Sequence, residues 1–169
     1  ERKAQESGDP HKQRNYKFWS GFVGFLDEKT ADNPDMSNRE KLRCIKSFRQ
    51  PTGENWYGIS IGTGKCHIEL WYSNNQIDLA ILTHGKNNET FEKLKARAGE
   101  IAEALHAKVD GDTVGDGNAA HPRLRFHGQG CNIDATDDNG RKAVAEAYNW
   151  AASGLYMLVP KVKEIVGVK

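Results

Sequence analysis

The chain of 169 residues is 37% hydrophobic and 28% charged, with a formal net charge of +1. That length suits one domain around a single core, and the composition fits neither a disordered polyelectrolyte nor a membrane span, which needs roughly 18 consecutive apolar residues. So small a net charge leaves any nucleic-acid contact to local clusters of Lys and Arg.

Residues 1–8 are polar and linker-like, and the chain opens without an initiator Met or an apolar leader. The expectation is a linker from an upstream region, followed by one domain over 9–169. Asp9-Pro10 reads as an N-cap followed by Pro at the first helical position. Phe18, Trp19, Phe22, Phe25 and Leu26 then recur at helical spacing, predicting a helix from Pro10 to about Asp27. Ser37-Asn38-Arg39-Glu40 is a capping-box pattern that should open a short helix carrying Leu42 and Ile45 inward. On that helix Arg39, Arg43 and Lys46 fall at i, i+4 and i+7 and so share a face.

Three strand-like runs follow, Trp56 to Thr63, Lys65 to Tyr72 and Gln76 to His84. The tight connections Gly62-Thr63-Gly64 and Ser73-Asn74-Asn75 predict an antiparallel meander. The middle run alternates between a core set (Cys66, Ile68, Leu70, Tyr72) and a decorated set (Lys65, His67, Glu69, Trp71), so this strand shows function-bearing groups on its second face. In the third run Ile77, Leu79 and Ile81 face the core, whereas Asp78, Leu82 and His84 face away.

Asn87 or Asn88 should cap one long amphipathic helix with Phe91, Leu94, Ala98, Ile101, Ala102 and Leu105 on its stripe. Asp110 to Gly130 is rich in Gly and Asp but contains Arg123 to His127, a strand signal in which Leu124 and Phe126 alternate with Arg123, Arg125 and His127. Ile133 extends that strand or starts a further one. Asp137-Asp138 begins a largely apolar last helix, which Pro160 should kink or divide. The fold class is therefore α+β: a mostly antiparallel sheet, a meander plus at least one later strand, with amphipathic helices packed on it.

No catalytic signature assembles. The six histidines lack metal-ligand spacing, although His67, His84 and His127 are placed to converge on the second sheet face. Asp110 to Asn118 resembles a calcium loop in composition but has no Glu at its twelfth position, so a polar turn is expected. No Glu-x-Lys set follows an Asp in the meander, and no G-x-S-x-G elbow or Walker-type loop is present. Cys44, Cys66 and Cys131 are odd in number and widely spaced, fitting reduced cytoplasmic thiols. Cys131 lies near His127 in sequence, where a structural cysteine is the expectation. No cofactor or metal ligand set is read from the chain.

Binding has more to work with. Arg39, Lys41, Arg43, Lys46 and Arg49 crowd a window holding one acid, Glu40, and a stripe of this kind can neutralise successive phosphates. Lys65, His67, Trp71, Arg123, Arg125 and His127 share the non-core alternation of the sheet, combining a stacking plane with cations as sheet platforms for single strands do. Glu69 and Asp78 oppose this by repelling phosphate, and a last helix lying over the face would make Trp71 core.

Phe18-Trp19 in the opening helix, Trp56 heading the meander, Ile68-Glu69-Leu70 in its middle, and Asn88 with Phe91 and Leu94 in the next helix together resemble the domain of unknown function 4268 family. Glu100-Ile101 and an Asp-rich turn leading to a helix with Trp150 continue the match, which covers nearly the whole chain. The resemblance implies a module at the C-terminal side of bacterial proteins with nuclease-like domains in mobile or defence-related neighbourhoods. It supplies no catalytic residues.

The expected function is thus a non-catalytic recognition module of a bacterial, cytoplasmic protein, binding DNA or RNA for an upstream effector or nuclease domain. Its candidate contacts are Arg39, Arg43, Lys46, Lys65, His67, Trp71, Arg123, Arg125 and His127. Two alternatives stand beside it: a protein-interaction or homodimerisation module using the aromatic residues and the last helix, and a metal-dependent hydrolase using the histidine face.

Overall fold

In the computed structural model, which describes residues 8–84, 88–114 and 121–168, the Asp9 carboxylate accepts the His11 backbone N–H and Pro10 enters the first turn. Helix α1 (Pro10–Asp27) therefore starts where its cap allows. Phe18, Trp19, Phe22 and Leu26 are fully buried, and Phe18 stacks on Tyr72 with ring centroids 3.9 Å apart.

In α2 (Asn38–Lys41) the capping box is complete: Ser37 Oγ accepts from the Glu40 N–H at 3.2 Å and Glu40 Oε2 from the Ser37 N–H at 2.6 Å. The helix then stops: the Arg43 N–H turns to the Glu40 carbonyl three residues back, and by Lys46 the backbone N–H pairs with the Ser60 carbonyl at 2.9 Å as the chain enters β1 (Ser47–Phe48). Arg43 and Lys46 thus lie beyond the helix, and the predicted helical face of Arg39, Arg43 and Lys46 does not form. Leu42 and Ile45 are buried as the pattern required.

The meander continues as β2 (Trp56–Ser60), β3 (Cys66–Ser73) and β4 (Gln76–Thr83), all antiparallel, with Asn74 and Asn75 both at positive φ in the β3–β4 turn. The single long helix expected next is two helices, α3 (Asn88–Ala96) and α4 (Ala98–Ala104), broken at Arg97. Of the two capping candidates, Asn87 lies outside the described residues.

A strand absent from the sequence reading, β5 (Lys108–Val114), replaces the first part of the expected polar turn, the rest of which lies outside the described residues. Among the described residues it pairs only with β6 (His121–Gly130), which inserts beside β4 to give the sheet order β1-β2-β3-β4-β6-β5. Ile133 neither extends β6 nor starts a strand; it sits in a turn, where its N–H donates to Tyr72 Oη at 3.2 Å. Finally α5 (Asp138–Val166) runs 29 residues through Pro160 without dividing and ends on Gly167 at φ 73°.

The core lies on one side of the sheet. Ile68, Leu70, Tyr72, Ile77, Leu79, Ile81, Leu124 and Phe126 are buried there. α1 and α5 close over that face, joined by Tyr148 Oη donating to the Phe18 carbonyl at 2.7 Å. Gly154 lets α5 sit down on the sheet, since a Cβ there would come within 2.6 Å of Leu79 Cδ1. The last helix consequently does not lie over Trp71, whose side of the sheet is the opposite one. Among the described residues no helix is long and apolar enough to cross a membrane.

Candidate functional site

Antiparallel register aligns the second face of the sheet into three rows: His67, Leu82, Arg123 and Asp112; Glu69, Ala80, Arg125 and Asp110; and Trp71, Asp78, His127 and Lys108. On the β2 side Trp56 stands opposite Trp71 and Gly58 opposite Glu69. Facing side chains across adjacent strands stand about 5 Å apart at Cβ, so these rows are in contact.

Asp78, 1% exposed, is the anchor. Its Oδ2 accepts from Arg125 Nε at 2.7 Å and lies 2.6 Å from Nη2 of the same guanidinium as an ion pair. Its Oδ1 accepts from Gln76 Nε2 at 2.7 Å and from the Gly128 N–H at 2.9 Å. Arg125 Nη2 also reaches Ser73 Oγ at 3.2 Å. Arg123 forms a two-point pair with Asp112, whose carboxyl is held below the usual range first by that hydrogen bond. His127 Nε2 meets Asp110 Oδ2 at 2.7 Å, and its Nδ1 lies 3.6 Å from Asp78.

Trp71 is half-buried beneath these groups. The Arg123 and Arg125 guanidinium carbons lie 4.6 and 5.7 Å from its ring centroid, within cation–π range. Its indole N–H donates to Glu69 Oε2 at 2.8 Å. The other oxygen of this carboxylate meets His67 Nε2 at 2.9 Å, and His67 Nδ1 meets His84 Nε2 at 2.6 Å.

The predicted contacts therefore separate. His67, Trp71, Arg123, Arg125 and His127 share the polar face, but both arginines are already matched by carboxylates. Lys65 leaves that face; its Nζ binds the Val166 carbonyl at 2.8 Å, where a cation suits the C-terminal end of α5. Arg39 pairs with Asp27 at 2.8 Å and lies 5.4 Å from the Phe48 ring. Arg43, Lys46 and Arg49 are exposed, with Arg49 4.3 Å from the centroid of Trp56.

Three participants escaped sequence reasoning. Trp56 belongs to the polar face by the same alternation that buries Tyr57 and Ile59, a signal present but unused. Asp110 and Asp112 had no comparable signal, because their strand is too poor in apolar residues to announce itself.

His67 and His84 meet, whereas His127 is held away by Asp110, so the three histidines do not converge. Among the described residues no cluster of three or more His, Cys, Asp or Glu is arranged to hold a metal ion. Burial pushes the thiols of Cys66 and Cys131 up to about 11, and the ring of His127 is directed at carboxylates instead of at Cys131.

A family model described as "Domain of unknown function (DUF4268)" matches residues 14–159. No curated protein matches the chain. The crystal structure of YbjN from E. coli is similar to it over 66% of this chain and 79% of that one, at 12% identity and a TM-score of 0.34.

Proposed function

The chain belongs to the family described as domain of unknown function (DUF4268), and from that premise we propose that it is a non-catalytic recognition module that binds nucleic acid, single strands above all. The observation that carries this reading is the cross-strand pair Trp56 and Trp71 on the polar sheet face, each ring attended by an arginine, at 4.3 and 4.6 Å. Gly58 leaves room for the Trp56 ring to lie over its backbone, since a Cβ there would meet that ring at 3.2 Å.

Labour divides between the two groups of cations. Arg123 and Arg125, compensated by Asp112 and Asp78, hold the Trp71 ring in place and neutralise little phosphate. Arg43, Lys46 and Arg49 are exposed, Arg49 against the Trp56 ring, and in this reading they meet the backbone. In this reading the module serves a nuclease-like or other effector region of the same bacterial polypeptide. A cytoplasmic setting suits it, because the free Cys44, Cys66 and Cys131 would stay reduced there.

Fluorescence anisotropy with labelled single-stranded DNA, RNA and duplex DNA across a salt series tests the proposal. Three phosphate contacts give a log–log salt slope of about −2 on single strands. Reversing Arg43, Lys46 and Arg49 to Glu should abolish binding. Trp56→Ala should cost about 1–3 kcal/mol while leaving the slope unchanged. No affinity at low salt, or affinity untouched by the triple reversal, refutes the reading.

A further inference from the structure

His84 Nδ1 lies 2.8 Å from the Gly64 carbonyl, which can only accept, so that nitrogen carries a proton. The contact between His84 Nε2 and His67 Nδ1, at 2.6 Å, holds one proton, neither none nor two. The contact between His67 Nε2 and Glu69 Oε1, at 2.9 Å, again holds one. Three contacts thus need three protons. Two neutral imidazoles and a carboxylate bring only two between them. The trio therefore carries one extra proton and is net neutral, with an imidazolium charge shared by the rings against Glu69.

The surroundings keep that proton in place. Glu69 is 5% exposed, and its remaining oxygen is taken by the Trp71 N–H. Beside Glu69, β2 contributes Gly58 and β4 contributes Ala80, neither charged. Beyond Trp71, β6 presents Arg123 and Arg125, each already matched by Asp112 or Asp78. Lys65 is turned to the end of α5. With every ring nitrogen of His67 and His84 engaged, the trio offers none to a substrate, which makes it a fastening instead of an acid–base centre.

We propose that His67, His84 and Glu69 form a one-proton latch that ties the turn before β3 and the end of β4 to Trp71, and that closes only while it holds three protons. Above the histidine range the unfolded chain keeps two protons on these groups and the latch three. Folding then takes one up, and the folding constant falls tenfold per pH unit until the latch releases its proton. In acid, where both unfolded imidazoles are charged, the unfolded chain holds four, and the constant rises tenfold per unit with pH. The latch's contribution to stability therefore peaks between these limits. A fourth proton opens it from the acid side, because two N–H groups cannot face each other at 2.6 Å.

Long-range 1H–15N spectra of the imidazole rings in the intact chain test this directly. The expected result is a protonated Nδ1 on His84 and a coupled titration in which the two rings share one proton. Independent titration of His67 and His84 as two ordinary imidazoles overturns the proposal. Urea unfolding across pH supplies a second readout: His84→Gln should lose the one-proton slope relative to the unmodified chain, and an unchanged slope overturns the latch. If that variant does not fold, the spectra of the unmodified chain decide alone. Both measurements use the free protein, so they stand whether or not nucleic acid binds.

Discussion

Truncating Asp78 to Ala removes the anchor of the polar face, and the cost can be worked from its partners. The carboxylate is 1% exposed, accepts one hydrogen bond each from Arg125 Nε, Gln76 and the Gly128 backbone, and makes a second ion-pair contact with Arg125 Nη2. Removing one member of a buried ion pair costs about 3–5 kcal/mol, mostly by stranding the charge left behind. The Arg125 side chain is 23% exposed and keeps Ser73 and the Trp71 ring, so the lower end applies, about 3 kcal/mol. Against a total stability of roughly 5–15 kcal/mol that is a large fraction. With a urea slope of about 2 kcal/mol per molar, the unfolding midpoint should fall by about 1.5 M. Asp78→Asn keeps an acceptor for the Gly128 N–H and should lose only about 1–2 kcal/mol. A loss below about 1 kcal/mol for Asp78→Ala would refute the assignment of this carboxylate as the anchor.

Two glycines should respond very differently to a methyl group in thermal melts. A Cβ at Gly128 would lie 2.3 Å from the Ile77 carbonyl and 2.4 Å from the Trp150 ring, so Gly128→Ala should cost about 3 kcal/mol because the backbone of β4 cannot retreat. At Gly154 the obstacles are the methyl ends of Leu79 and Leu105, which can rotate, and Gly154→Ala should cost about 1 kcal/mol; equal losses would refute the distinction. At pH near 8 a thiol reagent should label Cys44 in the native chain and reach Cys66 and Cys131, both held near 11 by burial, only on unfolding; rapid native labelling of either would contradict their placement. Arg97, and then Lys161, hold the Glu100 carboxyl down to about 2, from its ordinary 4.5. Its contribution is present at neutral pH and lost as pH falls through that interval, so Glu100→Gln should flatten the pH dependence of unfolding there. An unchanged curve would dismiss this clasp between α4 and α5.

What could be read in advance was what nearest neighbours decide. The bounds of α1 follow from Asp9, Pro10 and the spacing of its aromatic residues, and the two faces of β3 follow from strict alternation. What escaped depends on partners distant in the chain. The turn of the chain from α2 into β1 is fixed by Ser60, 14 residues past Lys46 in sequence, and the break at Arg97 has only Gly99, itself inside α4, beside it. β5 has little strand propensity of its own, and its carboxylates become legible only once Arg123 and His127 stand beside them. The same holds for the polar face. Alternation assigned His67, Trp71, Arg123, Arg125 and His127 to it, but register decided that the arginines are compensated and that His67 meets His84 rather than His127.

The order of the sheet leaves β1 and β5 as its margins, and exposed margins invite a strand from another molecule. β1 offers only two residues of backbone, flanked by Lys46 and Arg49. β5 is longer but carries Lys108, Asp110 and Asp112 along its length. Brevity guards one side and ionised side chains guard the other. The same carboxylates that steady Arg123 and His127 thereby keep the sheet from templating aggregation, so replacing them to make the face more basic would also weaken the chain's resistance to edge-to-edge growth.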